Sequence, residues 1–161
     1  MSDDPADPTR VVADADVLAA DLLVGGAART ALSQIRRHSW MGLVASDALL
    51  DDATAVIATL ADEEVATDWR TVVERERVAV SHPPDDHPGL GSAYRGNAAH
   101  LLTFDPDLAS TQTNRSMQPY VSLSVHTPDA FARLFDPASL YEHRHDESYP
   151  GPDRETGLPD R

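Results

Sequence analysis

Short apolar runs alternate along this chain with longer stretches in which apolar positions recur every three or four residues. The short runs, residues 10–13, 42–45, 78–81, 101–104 and 121–125, read as strands, and the longer stretches read as helices. Gly25-Gly26 splits the first helical stretch into a pair, and residues 62–64 begin a second helix after the one ending near Leu60. The order is therefore β-α-α-β-α-α-β-α-β-α-β-α. Strands separated by helices pair in parallel through right-handed crossovers, so the expected architecture is a three-layer α/β/α sandwich around a central parallel five-stranded sheet. In such sheets ligands collect at the carboxyl ends of the strands. Asp14 and Asp105 follow two of those ends.

At 161 residues and 41% hydrophobic content, the chain fits one domain with a sizeable core. Residues 1–9 and 137–161 are polar and rich in Asp and Pro; both read as acidic tails, the second a candidate for disorder, around a domain over residues 10–136. No apolar run reaches the roughly 18 residues a membrane span needs, and the acidic start is unlike a secretory leader. A cytoplasmic protein is expected. The formal charge is −14, and all thirteen basic residues are arginine. That surface suits a halophilic, high-salt interior, where counterions screen self-repulsion. Acidity therefore says more about habitat than about partners, and does not exclude nucleic acid. Without cysteine, any metal must be held by carboxylates, imidazoles or water.

Carboxylates are abundant, and helix phase sorts them. With Leu49, Ala53, Val56, Ile57 and Leu60 as the apolar stripe of their helix, Asp52 falls on its flank beside Val56 while Asp51 points away. Asp52 is expected to face the sheet and Asp51 to face water. Similarly, Asp86 lines up with Leu90 and Ala93, and Asp85 is rotated off. Asp14, Asp52, Asp86 and Asp105 converging on one pocket would repel, and a hard divalent cation, Mg²⁺ or Mn²⁺, would relieve that conflict. The chemistry implied is metal-assisted phosphodiester hydrolysis.

The surroundings of these acids resemble PIN-domain ribonucleases. VVADADVLAADLL (11–23) is similar to the family's first strand and the acid that follows it, here Asp14. SDALLDDATAVI (46–57) resembles the second motif, with Asp52 as its acid, and DDHPGLGSA (85–93) the third, with Asp86. AAHLLTFDPDL (98–108) looks like the family's Ala-rich entry, strand and Thr-x-Asp, and SVHTPDAFARLF (124–135) like its closing strand and helix. The resemblance implies strand order 3-2-1-4-5, contact between Asp14 and Asp105, and a metal-dependent endoribonuclease, of toxin or RNA-processing type, cutting single-stranded or looped RNA. Asp14, Asp52, Asp86 and Asp105 would be catalytic metal ligands, with Thr103 holding a metal-bound water or orienting Asp105. A homodimer is implied too, with an antitoxin partner if the chain is a toxin. Two positions depart from the family pattern: Asp16 stands where a neutral polar residue is usual, and Asp52 where Glu is.

Simpler roles exist for each residue. Asp14 and Asp105 suit helix caps, as does Asp107, and Asp52 and Asp86 suit ordinary surface or turn positions. Arg95, Arg36 and Arg37 are the candidates for phosphate contact; the last two equally suit the end of a helix dipole. His82 and His87 flank the third motif, and His143-Arg144-His145-Asp146 reads as a solvated segment, its spacing fitting no zinc motif. Two other functions compete. One is a PIN-like RNA- or protein-binding module without activity, motivated by Asp16 and Asp52. The other is a haloacid-dehalogenase-like phosphatase, suggested by VVADADVL but lacking the expected lysine.

Overall fold

The computed structural model describes residues 6–108 and 123–154. Along the chain run β1 (Asp7–Ala13), α1 (Ala15–Leu23), α2 (Gly26–Arg36), β2 (Gly42–Ser46), α3 (Asp47–Leu60), α4 (Glu63–Glu76), β3 (Val78–Val80), α5 (Pro88–Arg95) and β4 (Ala98–Leu102). After the gap come β5 (Ser124–His126), α6 (Pro128–Leu134) and α7 (Pro137–His145). The helix expected between β4 and β5, and the first part of the expected strand 121–125, lie outside the described residues. All strand pairs are parallel and the sheet order is β3-β2-β1-β4-β5, as expected.

Both sheet faces are covered. Val11, Val12 and Ala13 alternate between the faces of central β1, yet none is more than 1% exposed. Local chemistry sets the element ends. Ser46, Asp62, Thr127 and Asp136 each accept a backbone N–H from the first turn of the helix they precede, satisfying donors that would otherwise be orphaned. Gly25 and Gly26 both take positive φ, 84° and 52°, which separates α1 from α2 where the glycine pair predicted a break.

Two sequence expectations change. On α3 the buried line is Leu49, Leu50, Ala53 and Ile57, not the line through Val56 and Leu60; Val56 is half-buried and Leu60 is 71% exposed. The flank that carries Asp52 is therefore the solvent edge of the helix. The polar segment after residue 136 is also not a free tail through residue 154. It buries little of its own, but Tyr141 packs edge-on against Trp40 and the Tyr149 hydroxyl meets His38 Nε2 at 2.6 Å. Because His38 Nδ1 lies 2.6 Å from the Gln34 carbonyl, Nδ1 carries the proton and Nε2 accepts from Tyr149. Asp153 accepts from Ser39 N–H at 2.7 Å, and Arg154 donates to the His38 carbonyl at 3.1 Å. The His143–Asp146 stretch is exposed but ends α7: Arg144 pairs with Asp7 at 3.3 Å, and Asp146 takes a left-handed cap conformation.

Candidate metal centre

β1 and β4 are neighbours whose last residues, Ala13 and Leu102, are partners in register. Asp14 and Thr103 consequently leave the sheet side by side, and Asp14 N–H extends the ladder to the Leu102 carbonyl at 2.8 Å. Asp14 begins α1, its Oδ1 accepting Ala15 N–H at 3.0 Å. Its other oxygen is held by the buried Thr103, whose hydroxyl donates to Asp14 Oδ2 at 3.0 Å. The same hydroxyl oxygen accepts Asp105 N–H at 3.0 Å. Thr103 thus orients Asp14 directly and Asp105 through its backbone, linking the two acids. Asp105 Oδ1 accepts Asp107 N–H at 2.9 Å, so at this turn Asp105 supplies the capping carboxylate.

Asp16 joins this group. Its Oδ2 accepts Phe104 N–H at 3.2 Å, while its Oδ1 is buried with no hydrogen-bond partner. Burial pushes the Asp16 carboxyl above its ordinary pKa, the Asp14 charge adds to that push, the backbone N–H groups of Phe104 and Val17 oppose it, and Asp105 raises it further. Three carboxylates from the ends of two adjacent strands therefore crowd one another. The signal for Asp16 was in the sequence, as the second acid of an Asp-x-Asp directly after a strand.

The third motif arrives by a different route. His87, not Asp86, caps α5: its Nδ1 accepts Gly89 and Leu90 N–H at 3.1 and 3.3 Å. A Cβ on Gly89 would lie 3.2 Å from Asp14 Oδ1 and 3.2 Å from His87 Cε1. Any larger residue there would have to push the Asp14 or His87 side chain aside by a few tenths of an ångström, so the glycine lets the start of α5 press against Asp14. Asp86 is exposed in the turn before the cap, its N–H bonded to the Pro83 carbonyl at 3.1 Å. Helix phase does not govern it, because the chain leaves helical geometry at His87. Asp52 is exposed as well, and its neighbour Asp51 bonds Arg70 at 2.7 Å. Among the described residues no three Asp, Glu or His side chains are drawn tightly enough to hold an ion as they stand.

The proposed phosphate-contacting arginines lie elsewhere. Arg95 sits in the last turn of α5, about 10 Å along the helix from its start at Asp14, and covers the Tyr94 ring. Arg36 is buried in a bidentate pair with Asp21 at 2.6 and 3.1 Å, and Arg29 donates to the Asp21 carbonyl. Asp21 is a polar residue the sequence reading passed over; its signal was a place in the α1 apolar stripe beside Val17, Leu18 and Leu22. Arg37 is exposed, and its carbonyl receives Asp153 and Arg154 N–H. His82 is committed at both nitrogens, donating from Nδ1 to the Pro83 carbonyl at 2.9 Å and accepting Ser46 Oγ–H at Nε2 at 2.8 Å.

A family model described as a family of unknown function matches residues 5–157. The chain belongs to DUF7384. No curated protein and no solved structure gives a match. The DUF7384 match takes in the carboxylate group and also α7 with the segment docked on His38, so the part beyond residue 136 belongs to the family domain.

Proposed function

We propose that this DUF7384 protein is a divalent-cation-dependent endoribonuclease of PIN type. The observation that carries the reading is Asp16 Oδ1, a buried carboxylate oxygen without a hydrogen-bond partner, on a side chain that feels the charges of both Asp14 and Asp105 at the carboxyl ends of β1 and β4. A half-buried carboxylate crowded by other carboxylates is costly unless a cation is near. The donors are all oxygen and no thiol exists in the chain, which suits Mg²⁺ or Mn²⁺ over softer metals.

In this reading Asp14, Asp16 and Asp105 supply the ligating oxygens. Thr103 holds Asp14 and Asp105 in relative position, while Asp52 and Asp86 are exposed. A bound divalent cation supplies neutralisation of charge on the attacked phosphate and lowers the pKa of the water it carries. The chain's own part is orientation: strand ends and the Thr103 hydroxyl fix the carboxylates before substrate arrives. Single-stranded or looped RNA is the substrate class of this reading, since its backbone can approach the strand-end carboxylates without duplex geometry. A homodimer and, for a toxin, an antitoxin partner belong to the same proposal on the strength of the PIN resemblance.

The second reading is a PIN-like binding module without activity, favoured by the exposure of Asp52 and Asp86 and by the lack of a ready-made three-ligand cage among the described residues. A cleavage assay on single-stranded RNA in molar KCl with added Mn²⁺ separates the two. Cleavage that disappears in Asp14→Asn and Asp105→Asn supports the enzyme. RNA left intact by the folded wild-type protein, or cut equally by both variants, rules it out.

A further inference from the structure

Any phosphate brought to Asp14 meets a floor of carboxylates in a chain that has no lysine. The arginines suggested for the task are spent elsewhere: Arg36 is paired inside the core and Arg95 stands at the far end of α5. Thr103 is committed to Asp14, and His82 is committed at both nitrogens. His87 is different. It is exposed, and its Nδ1 accepts two backbone N–H groups of α5, which requires that nitrogen to be unprotonated. The ring proton is therefore on Nε2. Gly89 brings the ring to the metal centre, because Asp14 Oδ1 and His87 Cε1 both lie 3.2 Å from the point where its Cβ would be.

The loop carrying His87 is itself pinned. His82 bonds Ser46, the cap of α3, and its ring lies flat enough on α5 that a Cβ on Gly91 would come within 2.7 Å of His82 Cγ. The loop from His82 to His87 is thus tied at both ends, and His87 is held at a fixed place beside Asp14.

We propose that His87 is a substrate-contacting residue whose Nε2–H donates to a non-bridging phosphate oxygen of single-stranded RNA lying over Asp14. The inference rests on the ribonuclease reading and adds to it the neutral donor that receives the phosphate. A neutral imidazole suits the position: it binds the anion without forming an ion pair with Asp14 that would compete with the cation.

Asn is among the best helix caps, so His87→Asn keeps the bond to the start of α5 and removes only the distal N–H. His87→Gln carries an amide N–H of similar reach. The measurements are melting temperature, Mn²⁺ affinity by calorimetry, affinity for a fluorescent RNA oligonucleotide by anisotropy with Ca²⁺ replacing Mn²⁺, and KM and kcat for cleavage, all in molar KCl. In His87→Asn, RNA affinity weakens and KM rises by about ten- to hundredfold, the loss of one hydrogen bond to a charged group. Melting, Mn²⁺ affinity and kcat stay near wild type, and His87→Gln recovers part of the RNA affinity. Wild-type RNA affinity and KM in His87→Asn would overturn the inference while leaving the ribonuclease reading intact. A fall in melting temperature that tracks the loss, with no recovery by Gln, would overturn it too by showing a structural role. Failure of the wild-type protein both to bind and to cut RNA would remove the ribonuclease reading and this inference together.

Discussion

The Thr103 hydroxyl donates to Asp14 Oδ2 at 3.0 Å, and through this bond the end of β4 fixes the carboxylate at the end of β1. Thr103 is fully buried, and its oxygen also accepts Asp105 N–H, so one hydroxyl serves both acids. Thr103→Val keeps the shape and removes the bond. It is expected to cost about 1–3 kcal/mol in stability, because the half-buried Asp14 carboxylate loses its donor and Asp105 N–H loses its acceptor. Cleavage should fall by at least tenfold, and Thr103→Ser should restore both. Denaturant melts and cleavage rates for the two variants check this.

Asp16 is expected to destabilise the metal-free protein. Its carboxyl has a raised pKa, from burial first and the Asp14 charge second, so the fold favours its protonated form. That contribution is present below the ordinary carboxylate pKa and lost as pH rises through the raised one, so at neutral pH the ionised group weighs against folding. Asp16→Asn can still accept Phe104 N–H without the charge. With chelator present, its melting temperature should rise. Adding Mn²⁺ should stabilise wild type more than the variant. A lower melting temperature for Asp16→Asn in chelator contradicts this reading of Asp16.

Much of this was legible in the sequence because it depends on period and punctuation. The five apolar runs, the Gly25-Gly26 break and the acids after β1 and β4 follow from local chemistry, and parallel strands joined by helices leave few topologies. Asp52 faces solvent because, of the stripe Leu49, Ala53, Val56, Ile57 and Leu60, α3 leaves Val56 and Leu60 toward its solvent edge and buries Leu50 instead. Which apolar residues are buried is decided by the packing partner, not by the helix alone. The docking of Tyr141 and Tyr149 on Trp40 and His38 was invisible for a related reason: a segment that cannot bury itself can still be buried by a surface far away in sequence. His87 as a cap, and the closeness of Gly89 to Asp14, required the fold.

The pair of buried charges under α1 gives a prediction independent of function. Asp21 is 0% exposed and Arg36 is 7% exposed, and their bidentate contact satisfies the carboxylate and the two terminal guanidinium nitrogens, leaving Arg36 Nε buried without a hydrogen bond. Asp21→Ala leaves the guanidinium buried and is expected to cost about 3–5 kcal/mol. Asp21→Leu combined with Arg36→Met should recover most of that loss. Chemical denaturation of the single and double variants measures the difference; a single variant as stable as wild type contradicts the buried pair.

At the other side of the sheet, His100 Nδ1 and His126 Nε2 are 3.4 Å apart across β4 and β5, with His100 packed edge-on to Phe131. Burial, and secondarily the His126 charge, depress the His100 pKa from 6.5 to about 4, and burial lowers His126 as well. A depressed pKa means that the fold favours the neutral ring. This contribution is complete above about pH 6.5 and is lost as pH falls toward about 4. Melting temperature should therefore drop between those values, and His100→Gln should flatten the slope there. An unchanged slope in the variant would assign the acid sensitivity to other groups.

The most direct test of the proposed metal centre is calorimetric titration of Mn²⁺ into the folded protein in molar KCl, comparing wild type with Asp14→Asn and Asp105→Asn. The account predicts a saturable isotherm in wild type that is lost or weakened at least tenfold in each variant. A folded wild-type protein that takes up no Mn²⁺, or variants that bind as tightly as wild type, would contradict it.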